Sequence, residues 1–417
     1  MLVENHHNYR KGLGLEESKH WLGAGLLTSE GGEWAKQRKQ LAPLFHEKRI
    51  PGYALAILEL AQRRFDRWEL TPGRPVDVAR ELVLLAIEAV GNTILGCDLE
   101  QYAGAIADDM ATLTADAMNR MTAMFRLPWN PVSGKARRAR SAAKRLKQIA
   151  DDVILPEVLL HRSGALAEIL QKSGWNRSNL RDQVITLLLT GHETTAATVA
   201  WACHLLSQNA RTEDRLQDEI DAVLPSRRPT PSDVSKFSYG RAVLWETMRL
   251  YPAVWLLPRR SLGPDFIGGY YIPANSDVLI SIYSMHRHPA FWSSPDGFMP
   301  ERFAAGGGHD GGAYLPFGAG PRTCIGHQLA MLEPTLLLVA MAQRFRLSPA
   351  PGCEVRPEAS LTLHSASGIW LAPRSRRDSA WPVVGKRGED SRCTPELASA
   401  SAGLTRGPFK EANFHEA

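Results

Sequence analysis

Cys324 lies in Phe317-Gly318-Ala319-Gly320-Pro321-Arg322-Thr323-Cys324-Ile325-Gly326, a loop in which glycines bracket a single thiol. Gly318 and Gly320 permit backbone conformations closed to other residues and let a flat group approach the chain. Arg322, just ahead of the thiol, brings fixed positive charge and a fork of donors suited to a carboxylate. Past Gly326, the run Gln328-Leu329-Ala330-Met331-Leu332-Glu333 reads as an apolar helix, which puts Cys324 near a helix start. The helix dipole and Arg322 both favour thiolate over thiol there. The chemistry expected of such a group is metal ligation or nucleophilic attack.

A second station is Thr190-Gly191-His192-Glu193-Thr194-Thr195, set between apolar Val184–Leu189 and Ala196–Trp201. A buried helix has little use for an acid, hydroxyls and a glycine together. Back-bonding threonines and a glycine predict a local bulge that interrupts the helix and admits water or a diatomic molecule. Glu246 and Arg249 stand at i and i+3, on one helical face. Trp34 and Arg38 are one helical turn apart. His286 and His288, at i and i+2 with no carboxylate or third ligand nearby, are too sparse for a metal site.

The elements that must position these groups are mostly helical. Residues 33 to about 160 read as successive amphipathic helices, including Tyr53–Trp68 and Ala79–Leu95, with breaks at Pro51, Pro72-Gly73, Gly96 and Pro128. Asn179 to about Gln208 reads as one long central helix, and a shorter one runs from about Tyr239 to Tyr251, stopping before Pro252. Strand-like pieces follow at Asp265–Ile272 and Val278–Tyr283, then irregular chain from His288 to Gly320. The last apolar helix spans about Gln328–Phe345, and short strands near Leu361–Leu371 close the fold. Lys135 to Lys147 carries seven Lys or Arg residues without interleaved aromatics, the pattern of a solvated helix face and not of a nucleic-acid reader. From Arg374 onward the chain is polar and aperiodic, so residues 374–417 are expected to be a disordered tail on a domain of residues 1–373.

Bulk properties agree with an ordinary globular protein. The chain has 417 residues, 44% hydrophobic and 22% charged, with net charge +5. That charge admits an acidic protein partner and does not ask for nucleic acid. No apolar run approaches the ~18–20 residues of a membrane helix and no secretory h-region opens the chain, so the expected location is cytoplasmic. Cys97, Cys203, Cys324, Cys353 and Cys393 are widely spaced and odd in number, which indicates neither a disulfide framework nor a CxxC zinc site.

The cysteine loop matches Phe-x-x-Gly-x-Arg-x-Cys-x-Gly at every fixed position and resembles the haem-binding signature of the cytochrome P450 family. The resemblance implies a mainly α fold with a small β region and haem b held through Cys324 as axial thiolate. It extends to Thr190–Thr195, similar to the oxygen-activation motif, where Glu193 and Thr194 would manage protons. Glu246-x-x-Arg249 and Pro300-Glu301-Arg302-Phe303 resemble elements whose Glu246, Arg249 and Arg302 would form a buried structural triad. Trp34, Arg38, Arg322 and Arg259, or its neighbour Arg260, would hold the propionates, with Phe317 and Gly326 also against the haem. The implied reaction inserts one atom of O₂ into an apolar small molecule of terpenoid, steroid or fatty acyl type. No nicotinamide, flavin or iron–sulfur fingerprint is present, so electrons would come from a ferredoxin or flavodoxin-like partner docking near Lys36, Arg38 and Lys39. Pocket walls are expected from Trp21–Leu27, Met121–Leu127, Ala253–Leu257 and the region of His364, itself expected to face solvent.

The resemblance runs from about Asn5 to Leu371. Family members usually carry several tens of residues ahead of the position matching Asn5, so the resemblance implies that Met1 is expected to begin inside the architecture. The expected consequences are an unpaired sheet edge and a missing part of the channel wall. Three other readings compete: a peroxide-rearranging relative, against which Glu193 and Thr194 argue; a cysteine hydrolase, for which no orienting His is placed; and a non-catalytic or weakly haem-binding remnant.

Overall fold

The computed structural model describes residues 1–122, 134–160, 165–304 and 312–376. In chain order the helices are α1 (Leu15–Leu22), α2 (Gly31–Leu41), α3 (Ile50–Glu69), α4 (Val78–Val90), α5 (Ala103–Thr122), α6 (Gly134–Ile149), α7 (Leu155–Leu160), α8 (Ala165–Ser173), α9 (Arg177–Gln208), α10 (Ala210–Val223), α11 (Ser238–Leu250), α12 (Ile282–Met285), α13 (Glu301–Ala304) and α14 (His327–Arg344). The strands are β1 (Tyr9–Lys11), β2 (Val76–Asp77), β3 (Leu256–Ser261), β4 (Asp265–Ile267), β5 (Tyr270–Ile272), β6 (Asp277–Ser281), β7 (Phe345–Pro349), β8 (Pro357–Ala359), β9 (Leu363–Ser365) and β10 (Trp370–Ser375). They pair in the orders β1-β3-β6 and β2-β10-β7, with β4–β5 and β8–β9 as separate pairs. The mainly α architecture with small sheets is the one the sequence led us to expect.

Helical periodicity accounts for the packing. Along α3 the buried positions Tyr53, Ile57, Leu60, Ala61, Phe65 and Trp68 form one face. Each large side chain sealed this way contributes about 1.5–3 kcal/mol. Helix α9 begins where the Asn176 side chain accepts from the Asn179 N–H, and then runs through the centre of the core. It packs against α4, α11 and α14, and its Trp201 stacks on Tyr251 with ring centroids 4.0 Å apart. Helix α6 buries Ala136, Ala139, Ala142 and Leu146 and turns most of its charges outward, as a solvated basic face should.

The structure corrects several expectations. Helix α9 is not interrupted at Thr190–Thr195: the threonines bond back to carbonyls without opening the backbone ladder. Wide helical turns occur instead at Gly91–Leu95 and Ala150–Ile154. The helix expected over Ala79–Leu95 accordingly changes character at Gly91. Strands β1, β3 and β7 were not legible, and β10 carries regular structure to Ser375, past Pro373. The tail from residue 377, the break at Pro128 and residues 123–127 of the expected pocket wall lie outside the described residues. Strands β1 and β6 are the outer strands of their three-stranded sheet. Among the described residues no helix is long and apolar enough to cross a membrane.

Candidate active site

The thiol loop is shaped by its glycines. Gly318 and Gly320 have φ of 70° and 71°, and a side chain on Gly320 would strike the Leu2 carbonyl at 2.0 Å. The loop closes on itself where the Cys324 N–H donates to Phe317 O at 2.9 Å. Gly326 caps α14 and lies against Phe45. Burial pushes the Cys324 thiol up, while the Gly326 N–H and the Arg38 charge pull it down. Arg322 does not act on the thiol as the sequence suggested. It turns to Glu30, which it grips through both terminal nitrogens, and its Cζ lies 4.8 Å from the centre of the Trp34 ring.

A cavity of about 410 Å³ opens over this loop. Its walls bring together Cys324, Phe317, Arg322 and Gly326 with Trp34 and Arg38 of α2, Arg259 of β3, and Glu193 and Thr194 of α9. Arg259 and Arg260 are separated by strand geometry. Arg259 is buried and lines the cavity, whereas Arg260 pairs with Asp277 at 2.6 Å and Glu16 at 3.0 Å. The apolar run Ala253–Leu257 lines the cavity throughout, joined by Leu26, Leu27 and Met121. His364 does not line it. Its place is taken by Ser360, Leu361 and Thr362, while His364 sits 3.8 Å from Glu358 with its side chain 41% exposed.

On the α9 wall, Thr190, Thr194 and Thr198 each donate a hydroxyl proton to the carbonyl four residues back, at 2.8, 2.9 and 2.9 Å. Glu193 Oε1 accepts from Thr362 Oγ1 at 2.7 Å, and its Oε2 is buried without a hydrogen-bond partner among the described residues.

The expected triad is assembled. Glu246 and Arg249 are fully buried; Arg249 donates to both carboxylate oxygens at 2.8 Å and to the carbonyls of His286, Pro295 and Gly297. Arg302 Nε reaches Glu246 Oε1 at 3.1 Å. His286 is no metal ligand: the Leu315 N–H donates to its Nε2 at 2.9 Å, which leaves Nδ1–H to donate to Met248 O at 3.3 Å. Burial holds this imidazole neutral, pushed down to about 4.

Sequence reasoning missed Lys11, Glu30, Thr362 and Glu333. Lys11 is buried on β1, donates to the carbonyls of Leu26 and Ser29 at 2.8 Å, and is driven down to about 7 by burial and the charges of Arg322 and Arg259 against the pull of Glu30. Lys11, Arg38, Arg259 and Arg322 thus put more positive charge on one end of the cavity than Glu30 neutralises. A group bearing two carboxylates suits that imbalance, so the residues present fit a haem with its propionates. Glu333 lines the cavity from α14; burial alone raises its carboxyl to about 8, and no partner for it is found among the described residues. No signal within the sequence marks these four: Lys11, Glu30 and Thr362 matter through neighbours distant in the chain, and Glu333 through its burial against the cavity.

The sequence model of the family described as Cytochrome P450 matches residues 4–372. This chain belongs to the cytochrome P450 family. It is 34% identical over 378 residues to cyclooctatin synthase of Streptomyces melanosporofaciens, covering 87% of this chain and 81% of that protein. To cyclooctat-9-en-7-ol 5-monooxygenase of the same organism it is 32% identical, covering 82% and 77%. To LUTEIN DEFICIENT 5, chloroplastic, of Arabidopsis thaliana it is 28% identical, covering 90% and 68%. This cytochrome P450 is therefore a haem-thiolate monooxygenase whose cofactor is haem b.

Proposed function

We propose that this cytochrome P450 oxygenates a largely apolar small molecule of terpenoid, steroid or fatty acyl type, using two electrons from a ferredoxin or flavodoxin-like protein. The observation that carries the reading is a single cavity that joins Cys324, a cationic end and an apolar wall to the Glu193–Thr194 pair. Haem, when bound, supplies the activation of O₂ and the transfer of one oxygen atom, the other leaving as water with two protons. Cys324 would provide the thiolate, deprotonated outright on metal ligation. Arg38, Arg259, Arg322 and Lys11 would hold the propionates, with Trp34 packed against the guanidinium groups and Phe317 and Gly326 against the macrocycle.

The chain's own groups divide the proton work. Thr194 has committed its hydroxyl proton to Thr190 O, so Oγ1 presents lone pairs to the cavity and accepts from a protonated oxygen there. Glu193 holds or releases a proton at Oε2, the oxygen that Thr362 leaves free. Ala253–Leu257 would exclude water and bear on the substrate. Relatives named for making cyclooctatin and for oxygenating cyclooctat-9-en-7-ol support a carbon-rich substrate. Lys36 and Lys39 are exposed on α2 and would meet an acidic electron donor, whereas Arg38 faces the cavity and would not. Raising ionic strength should slow reduction by such a donor; a rate unaffected by salt would remove charge from the docking.

The deciding experiment is the reduced, carbon monoxide-bound difference spectrum of the purified chain. A strongly red-shifted Soret band is expected. A band of neutral-thiol or histidine ligation, or no haem, would overturn the reading and favour the remnant alternative.

A further inference from the structure

Among the described residues, Glu193 receives its one side-chain hydrogen bond from a distant part of the chain. Thr362 sits in the turn between β8 and β9, 4% exposed, and its Oγ1 donates to Glu193 Oε1 at 2.7 Å. The turn is fastened by bonds that do not involve the Thr362 side chain. The indole N–H of Trp255 donates to Ser360 O at 2.7 Å, and that of Trp201 to Leu363 O at 3.0 Å. Leu363 N donates to Ala253 O, and Ser360 N to Thr362 O, both at 3.0 Å. The hydroxyl is therefore presented by a braced turn, and its removal leaves the brace in place.

We propose that Thr362 is the positioning residue for Glu193, a role that rests on the monooxygenase reading above. By occupying Oε1 it fixes the rotamer of a side chain with several free torsions and makes Oε2 the one atom that loads and releases a proton. A carboxylate with two bare oxygens in a confined apolar site would lose both that orientation and its only donor. Because Ser360, Leu361 and Thr362 also line the cavity, a substrate bearing on the turn presses on the residue that aims the acid. Proton delivery and substrate occupancy are thereby linked through one hydroxyl.

The test pairs Thr362→Val, nearly equal in size but without the donor, with Thr362→Ser, which restores it. Infrared difference spectra of the purified holoprotein identify the Glu193 carboxyl band as the one lost in Glu193→Gln. Thr362→Val should shift that band, and Thr362→Ser should return it to the wild-type frequency. In turnover with reducing equivalents, Thr362→Val should lower product formed per electron pair about tenfold and enlarge the solvent deuterium isotope effect. In the Glu193→Gln background it should add no further loss. A Glu193 band unmoved by Thr362→Val, or losses that multiply in the double variant, would overturn the proposal. Should Thr362→Val fail to fold, Thr362→Ala serves the same comparison. If the chain gives the red-shifted carbon monoxide band but makes no product, the monooxygenase reading of this chain fails, while the infrared comparison still decides the Thr362–Glu193 contact.

Discussion

Around the cysteine loop, Arg249 alone donates to both oxygens of Glu246 and to three backbone carbonyls, while Arg302 and the Met299 N–H complete the carboxylate. On the α9 wall, Glu193 has one partner and a bare oxygen, and Thr186 has a buried hydroxyl with no partner among the described residues. The first region is saturated and the second is not. A metal ligand must be held still, which over-determined bonding achieves. A proton carrier must change its bonding during turnover, and a fully satisfied acid has nothing to exchange. Glu333 is the exception on the cysteine side, a buried carboxyl that faces the cavity without a partner among the described residues.

Replacing Cys324 with Ser should abolish the red-shifted carbon monoxide band entirely, and a band that survived would move the ligand elsewhere. Arg249→Ala strikes the saturated region by stranding buried Glu246, and should lower stability by roughly 3–5 kcal/mol in a denaturant titration. A loss under about 1 kcal/mol would mean that the network is not what holds the loop.

Glu333→Gln addresses the exception through pH. The folded carboxyl titrates near 8 against an ordinary value of 4.5, so the fold favours its protonated form. That stability is complete below 4.5 and is lost as pH rises through 8, by up to roughly 5 kcal/mol. The glutamine variant should lack this decline between about 4.5 and about 8. His286 works from the other side: its neutral form is favoured, so stability falls as pH drops from about 6.5 towards about 4. A Glu333→Gln curve identical to that of the parent protein would mean that the group is solvated.

Glu193→Gln should lower product per electron pair by about 10- to 100-fold with an unfolding midpoint close to that of the parent, the reverse of the Arg249 result. The smallest effect belongs to the exposed pair Arg356–Glu354. Breaking it with Arg356→Ala should leave the unfolding midpoint unchanged within the scatter of repeat measurements, which sets the baseline for the other variants.

Much of this was legible in the chain because it is local. The cysteine loop, the Glu193–Thr194 pair and Glu246-x-x-Arg249 each lie within a few residues, where spacing reports geometry. Long periodic helices such as α3 and α9 were legible for the same reason. Strand β3 was not: Leu256-Leu257-Pro258-Arg259-Arg260-Ser261 has no clean alternation. Without the strand, nothing said which arginine faces inward, a matter decided by pleat parity. Strand β7 continues directly from apolar α14, so the sequence ran the helix one residue too far and hid the strand. Thr190–Thr195 misled in the opposite way, since back-bonded hydroxyls can be accommodated without opening the helix. Lys11, Glu30 and Thr362 acquire meaning only through partners from other parts of the fold.

The threonines of α9 have one more consequence. Thr190, Thr194 and Thr198 all line the cavity, and each has spent its proton on the helix behind it. What they show to a guest is a row of lone pairs, a surface that receives hydrogen bonds and offers none. A hydrocarbon gains nothing from it. An alcohol formed in the same cavity would carry the one group this row can grip, so such a product should leave more slowly than its hydrocarbon parent, which a comparison of the two dissociation rates would check.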